Sequence, residues 1–400
     1  VRQLAKEIKE SKFFAKKGWR PIVSALGRGI QNVHTPYSLC KEIIDKLAES
    51  VDIKNQQIAV LFNLEFVVVL REDFGVPAKN ITFFSDTNVE EKIAEKAYKV
   101  KRLHKIEYDA KEKNGERIKI MPKIKNQFDV IIQNPPYQQN TSGGNGARDL
   151  WDKFIPLAVD LCREGGYMAH VHPSKWRKPE HPAWVQLTEK QIEFLSIHSK
   201  RDGQKVFGAI TRFDWYIVSN SPRTGKTKVR QEDEKIVEID LGTMPFLPNY
   251  DIANILNLVA LKGEEKCGVI YNRTMYGCDK LWMGKEKKGK FKYPCVYGMY
   301  KDGSIKFLYS SKRNGHFGTP KVIVSCGEHP YPMIDMDGEY GMANNAFAIP
   351  VSSKKEAEQI KKALESEGFK EILRATKWGN FQIDWKMFRH FRADFWKEFV

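Results

Sequence analysis

No uncharged apolar run in this sequence is long enough to cross a bilayer, which takes about 18–20 consecutive residues. The most hydrophobic stretch, Val60 to Leu70, is broken by Asn63 and Glu65, and mean hydropathy is -0.50. A signal peptide is also missing: Val1-Arg-Gln-Leu-Ala-Lys-Glu-Ile8 spaces its charges along an amphipathic helix. The six cysteines (Cys40, Cys162, Cys267, Cys278, Cys295, Cys326) form no Cys-x-x-Cys pair. That spacing argues against a zinc ribbon or a disulfide scaffold and fits a reducing cytoplasm. Internal repeats and low-complexity segments are absent, and no metal-ligand cluster is visible. Because no Pro-Asp dipeptide occurs, the common form of the nuclease core is not apparent. The chain opens on Val1 rather than a methionine, so residues upstream, a nuclease domain among them, are an open expectation.

What is abundant is positive charge. Lys+Arg number 66 against Asp+Glu 50, a net +16 over 400 residues. Such an excess is the electrostatic footprint of a polyanion-binding protein, most often one that binds nucleic acid, although solvated surface lysines give the same count. A hydrophobic fraction of 42% with 12% aromatics supports buried cores, and the length suits two domains.

Strand-like and helix-like segments alternate in the first half. Ile58–Phe62, Ile81–Phe84 and Phe128–Ile132 are short apolar runs typical of buried parallel strands. Helices are expected at Phe66 to Phe74, after Asn88 as a cap, and at Leu150 to Arg163, with Gly165-Gly166 ending the last. Tyr167–Val171 and Ile210–Ser219 read as further strands. This alternation predicts an α/β fold: a doubly wound, mostly parallel sheet covered on both faces. Composition shifts after Ser221-Pro-Arg-Thr-Gly-Lys-Thr, which predicts two domains, 1–245 and 246–400, the second α+β. In the second, a helix is expected at Lys354 to Glu367 and an aromatic-basic tail from Trp378 to Trp396.

The chemically informative segment is Asp129-Val-Ile-Ile-Gln-Asn134-Pro135-Pro136-Tyr137. It ends a predicted parallel strand, where open α/β sheets place ligands. Consecutive prolines cannot extend a strand or open an ordinary helix, so they fix a rigid turn. The Asn134 carboxamide oxygen and the Pro135 carbonyl can each accept one proton of an exocyclic amine, aiming its lone pair at an electrophile. Tyr137 offers a face for stacking a flipped base. A plain proline-stiffened turn is the bland alternative.

With this motif the sequence resembles the N6-adenine DNA methyltransferases, in the gamma-ordered group related to restriction-modification methylases. The resemblance covers roughly residues 30 to 220 and includes further segments in the family's order. His34-Thr35-Pro36-Tyr-Ser-Leu looks like the segment closing over the methionine part of the cofactor. Leu150-Trp151-Asp152 and Gly165-Gly-Tyr-Met-Ala-His-Val-His-Pro173 look like the helix and strand after the catalytic loop. Val206-Phe207-Gly-Ala-Ile-Thr sits where the family keeps a second base-stacking aromatic: Phe207, with Phe213 as the alternative. The resemblance implies a class I, Rossmann-like, S-adenosylmethionine-dependent fold, base flipping in duplex DNA, and a catalytic set of Asn134, Pro135, Pro136, Tyr137 and Phe207. It also implies a C-terminal target-recognition domain, a cytoplasmic location and a possible restriction endonuclease partner. Methyl transfer from a sulfonium requires no metal.

One departure stands out. The family's first motif carries glycines after the first strand, whereas here Ile58–Phe62 runs into Asn63-Leu64-Glu65-Phe66. Either Asn63 and Glu65 bind the cofactor through side chains, with Phe62 or Phe66 as the wall, or the cofactor site is degenerate. Asp86, after the second strand, is placed for the ribose hydroxyls, or else is a cap or turn residue. Thr35, Pro36, Phe62, Asn63, Glu65 and Asp86 form the expected cofactor set. In the second domain, Lys285, Lys287, Lys288, Lys312 and Arg313 are candidate DNA contacts, interleaved with Tyr and Asn side chains. Arg374 to Trp385 reads mostly as core because of its aromatic density. Two rivals remain: an RNA or protein methyltransferase with the same loop, and a DNA-binding protein that keeps the fold without catalysis.

Overall fold

The computed structural model describes residues 34–108, 118–120, 124–138, 149–271, 273–300, 302–327, 330–379 and 382–400. The amphipathic segment expected at Val1 to Ile8 lies outside them. The chain divides into two compact units, one running to Trp176 and resuming over His181–Thr243, the other made of Arg177–Glu180 with Met244–Val400.

The first unit runs α1 (Tyr37–Ala48), β1 (Ile58–Leu61), α2 (Leu64–Glu72), β2 (Ile81–Ser85), α3 (Asn88–Tyr98), β3 (Arg102–Tyr108), β4 (Ile118–Ile120) and β5 (Phe128–Gln133). It continues α4 (Phe154–Leu161), β6 (Cys162–Pro173), α5 (Pro182–Thr188), β7 (Lys190–His198), α6 (Lys200–Phe207), β8 (Phe213–Pro222), β9 (Thr227–Arg230) and β10 (Ile236–Ile239). These strands form one sheet in the order β10-β9-β7-β8-β6-β5-β1-β2-β3-β4. Strands β3, β2, β1, β5 and β6 are parallel, while β8 enters antiparallel between β6 and β7. The expected doubly wound α/β sheet is thus present, its central strands β1 and β2 buried at every position. Continuous apolar runs are what a sheet covered on both faces requires.

Local boundaries differ from the sequence-based expectation in instructive ways. Helix α2 starts at Leu64, not Phe66, and its cap position is Asn63. Thr87, not Asn88, caps α3 by accepting from the Glu90 amide. The expected helix through Arg163 stops at Leu161, and Gly165-Gly166 lie inside β6 rather than ending a helix. There a Cβ on Gly166 would fall 2.7 Å from the Asp129 carbonyl and the Cys162 sulfur. Glycine is required because β6 crowds the start of β5. The last strand runs Phe213–Pro222 rather than starting at Ile210.

The second unit carries a four-stranded sheet ordered β11 (Met283–Gly284), β13 (Ile305–Ser310), β12 (Tyr293–Met299), β16 (Gly341–Met342). A three-stranded sheet has β14 (Lys321–Ser325) between β15 (Pro332–Asp335) and β17 (Ala346–Pro350). Val322, Val324 and Phe347 pack with Ile360 and Leu364 of a helix at Lys354–Glu365 and with Phe369 and Ile372 of a helix at Glu367–Ala375. The aromatic tail is core here: Trp378, Phe388, Phe391 and Phe395 are buried in that cluster. No helix among the described residues is long and apolar enough to cross a membrane.

Candidate active site

Strand order changes direction between β1 and β5, so a crevice opens beyond their carboxyl ends. Asn134 leaves β5 at that crevice, where Gln133 lies opposite Leu61, the last residue of β1. The side chain is 1% exposed, and its Nδ2 donates to Thr35 Oγ1 at 2.9 Å. Thr35, itself fully buried, is held by α1, whose Cys40 amide donates to the Pro36 carbonyl at 3.0 Å. With its amide nitrogen anchored, Asn134 presents Oδ1 as a buried acceptor that has no hydrogen-bond partner. Leaving such an atom unpaired costs about 1–3 kcal/mol, a penalty that marks functional sites.

Pro135 and Pro136 are buried and carry the chain to Tyr137, whose carbonyl accepts from the Leu150 amide at 3.1 Å. A bridge between Gln138 and Asp149 closes this tie. The Tyr137 hydroxyl is buried without a partner; burial and then the nearby Asp214 carboxylate push its pKa up, so it remains a proton donor. Phe207, the last residue of α6, meets the Tyr137 ring edge-to-face with centroids 6.5 Å apart. Phe213 sits behind, 4.7 Å from Phe207 and stacked 4.4 Å from His198. The fold therefore brings Phe207, not Phe213, to the tyrosine. A base between two parallel rings needs about 7 Å, two contact distances, so Phe207 must turn to admit one.

On the other side of the crevice, the glycine-free turn adopts a conformation usually left to glycine. Phe62 has φ +76°, with the Asn63 amide donating back to the Leu61 carbonyl at 3.1 Å as in a γ-turn. Its ring packs edge-on against Phe154 at 4.9 Å and is only 3% exposed. Ring burial thus offsets a strained backbone. Phe62→Ala is expected to cost about 3–5 kcal/mol, since it loses the ring and keeps the strain. Phe62→Gly should be more stable than Phe62→Ala by about 1 kcal/mol, because glycine relieves the positive φ. Urea unfolding of the two variants checks the order; the reverse ranking would show an unstrained turn.

Asn63 and Glu65 are both buried, and Glu65 faces His34 in a fully buried pair. Phe66 lies in the hydrophobic core. Asp86 is half-buried at the end of β2, adjacent in the sheet to the Phe62 turn, whose amide donates to the Phe84 carbonyl at 2.8 Å.

A model of the Eco57I restriction-modification methylase family matches residues 3–207, just over half of the chain. The chain belongs to that family. Over 66 residues it is 44% identical to an uncharacterized adenine-specific methylase of Mycoplasma pneumoniae, covering 16% of this chain and 15% of that protein. Among solved structures, the type IIG restriction endonuclease BpuSI is similar over 93% of this chain and 60% of its own, at 10% identity and TM-score 0.42. A type I R-M system chain is similar over 53% of this chain and 48% of its own, at 12% identity and TM-score 0.34.

Beneath the Asn-Pro-Pro-Tyr turn of this Eco57I-family chain lies a polar ladder that sequence reading missed. Gln133 Nε2 lies 2.6 Å from His170 Nδ1 and donates to the Phe154 carbonyl at 3.1 Å. His170 stacks on Tyr216, whose hydroxyl is 2.7 Å from His172 Nε2. Trp151 stacks between His172 and His181, at 4.5 and 5.5 Å. The signal was His170 and His172 two apart on a strand, hence on one face. Burial pushes His170 from 6.5 down to about 3. Between those pH values the unfolded chain binds a proton that the folded state refuses, so stability rises with pH by about 1.4 kcal/mol per unit. From pH 7 to 5, wild type should lose about 2 kcal/mol more than His170→Gln in urea titrations; parallel losses would contradict a neutral His170.

In the second unit of this family member, Lys285, Lys287, Lys288, Lys312 and Arg313 are all exposed. Gly284 opposite Tyr309 and Tyr293 opposite Ser310 put both ends of the 285–292 connection at one end of the sheet. Lys312 and Arg313 leave β13 at the same end, with Lys312 Nζ 3.9 Å from the Trp282 ring centre. The five predicted basic residues thus gather at one sheet edge.

Proposed function

We propose that this chain is an S-adenosylmethionine-dependent DNA methyltransferase acting on N6 of an adenine flipped out of duplex DNA. The observation that carries the reading is the buried, unpartnered Asn134 Oδ1, held by Thr35 at the carboxyl end of β5. An amine entering there donates one N–H hydrogen bond to Asn134 Oδ1 and the other to the Pro135 carbonyl. Its lone pair is then directed rather than delocalised into the ring. Tyr137 and Phe207 supply the faces between which the base stacks, offsetting the few kcal/mol that flipping costs.

The cofactor fits the residues present. Asp86 offers a carboxylate at the end of β2 for ribose hydroxyls, and the Phe62 turn has the tight geometry that the family obtains with glycine. Thr35, Pro36 and Asn63 would line the methionine end, while Glu65 acts through His34. When bound, S-adenosylmethionine supplies a methyl group already activated on a sulfonium. Lys285, Lys287, Lys288, Lys312 and Arg313 would hold DNA phosphates. Family membership favours a restriction-modification setting in the cytoplasm, with a restriction endonuclease as partner.

The test is long-read mapping of N6-methyladenine after incubating unmethylated genomic DNA with the protein and S-adenosylmethionine. One modified sequence motif is the expected result. No modification on DNA, with transfer to structured RNA instead, would overturn the DNA reading.

A further inference from the structure

Helix α6 ends in Phe207, and the turn that follows projects an aliphatic side chain into solvent. Ile210 is 67% exposed, among the most exposed large hydrophobics of the described residues. Its place is not arbitrary. Strand β8 runs antiparallel to β6, so its first residue, Phe213, pairs with Pro173 at the carboxyl edge of the sheet. The 208–212 turn therefore stands on the ligand-binding edge, three residues from the ring that meets Tyr137.

The turn is built to hold its shape. Gly208, at φ +68°, caps α6 by donating to the Gln204 carbonyl at 3.1 Å, and the Thr211 amide donates to the Ala209 carbonyl at 2.8 Å. A Cβ on Gly203 would fall 1.9 Å from the Thr211 carbonyl oxygen, so only glycine lets the turn fold back onto the helix. At the other end of α6, Ser199 and Asp202 form a reciprocal capping box that uses the helix's acidic residue. Arg201, Gln204, Lys205 and Ile210 are all exposed, the two cations on the helix that leads into the turn carrying the isoleucine. A single exposed isoleucine is ordinary on a protein surface; its place on the ligand edge is what matters, because bent or opened duplexes are commonly held by an apolar wedge flanked by basic residues.

We propose that Ile210 is a wedge that enters the base stack where the target nucleotide has left it, with Arg201 and Lys205 on the flanking phosphates. This rests on the base-flipping reading above. The wedge stabilises the opened duplex and takes no part in methyl transfer, so its loss should matter only where opening is costly.

The experiment uses the full chain and a duplex carrying the methylation motif found by mapping. One form is fully paired; the other has an abasic site opposite the target adenine, which is already unpaired. Ile210→Ser is expected to lower kcat/KM about tenfold on the paired duplex and less than about twofold on the abasic one. Ile210→Leu should stay within about twofold of wild type on both. Equal losses on both duplexes, or no loss on the paired one, overturn the wedge while leaving methylation intact. A wild-type protein inactive on both duplexes overturns the flipping reading and the wedge together.

Discussion

Replacing Asn134 by alanine is expected to lower methyl transfer at least about a thousandfold, about 4 kcal/mol of transition-state stabilisation. The fold should hardly notice. Alanine removes a 2.9 Å hydrogen bond to Thr35 but also removes an acceptor that has no partner, so the two terms nearly cancel. Thermal midpoints within a few degrees of wild type, together with unchanged DNA affinity, would place the loss in chemistry. Asn134→Asp separates orientation from mere polarity. A carboxylate keeps an oxygen toward the amine, and the Thr35 hydroxyl can donate to the other, so measurable activity should survive. Single-turnover methylation of one duplex by the three proteins is the measurement. An alanine variant that still methylates at near wild-type rate would sink the assignment of the active site.

A stability effect as large as that of Phe62→Ala should come from the second unit, where Lys321 and Asp335 face each other across β14 and β15. Both side chains are excluded from water, with Nζ 2.6 Å from Oδ2. The carboxylate also accepts from the amides of Glu339 and Tyr340, at 2.9 and 3.1 Å, fixing the turn after β15. Lys321→Met fills a similar volume and leaves that carboxylate buried without its cation, which costs about 3–5 kcal/mol. For a unit of this size the unfolding midpoint should fall by about 10 °C or more. Lys321→Met combined with Asp335→Asn removes both charges and should recover part of the loss, which a double-mutant cycle in calorimetry would resolve. A single variant within about 1 kcal/mol of wild type would contradict a buried carboxylate that depends on its cation.

Much of the fold, and with it the placement of the candidate site, is legible in the sequence. Apolar runs at Ile58, Ile81 and Phe128 specify buried strands because burial on both faces permits no polar alternation. The alternation of those runs with helices fixes a doubly wound sheet, and that topology puts Asn134, Phe62 and Asp86 at one edge. These inferences depend on spacing along the chain, which a linear reading captures.

What the tertiary structure alone decided are choices between residues of similar local promise. Phe207 and Phe213 are both aromatic and six apart, yet only packing sends one to Tyr137 and the other to His198. Asn134 is oriented by a threonine 99 residues earlier, and Glu65 is paired with His34 from the segment before α1. The missing glycines left open whether the turn is a working variant or degenerate; its geometry shows ring burial against Phe154 holding Phe62 at positive φ. Arg177–Glu180 joins the second unit although its neighbours on both sides belong to the first. There the Arg177 guanidinium donates to the Leu247 and Pro248 carbonyls, at 2.8 and 2.9 Å. Each case turns on a partner distant in sequence, chosen by whichever buried polar or aromatic group the fold brings within contact distance. Spacing sets where an element lies; the pairing of buried groups, which no local pattern encodes, sets what each side chain there is free to do.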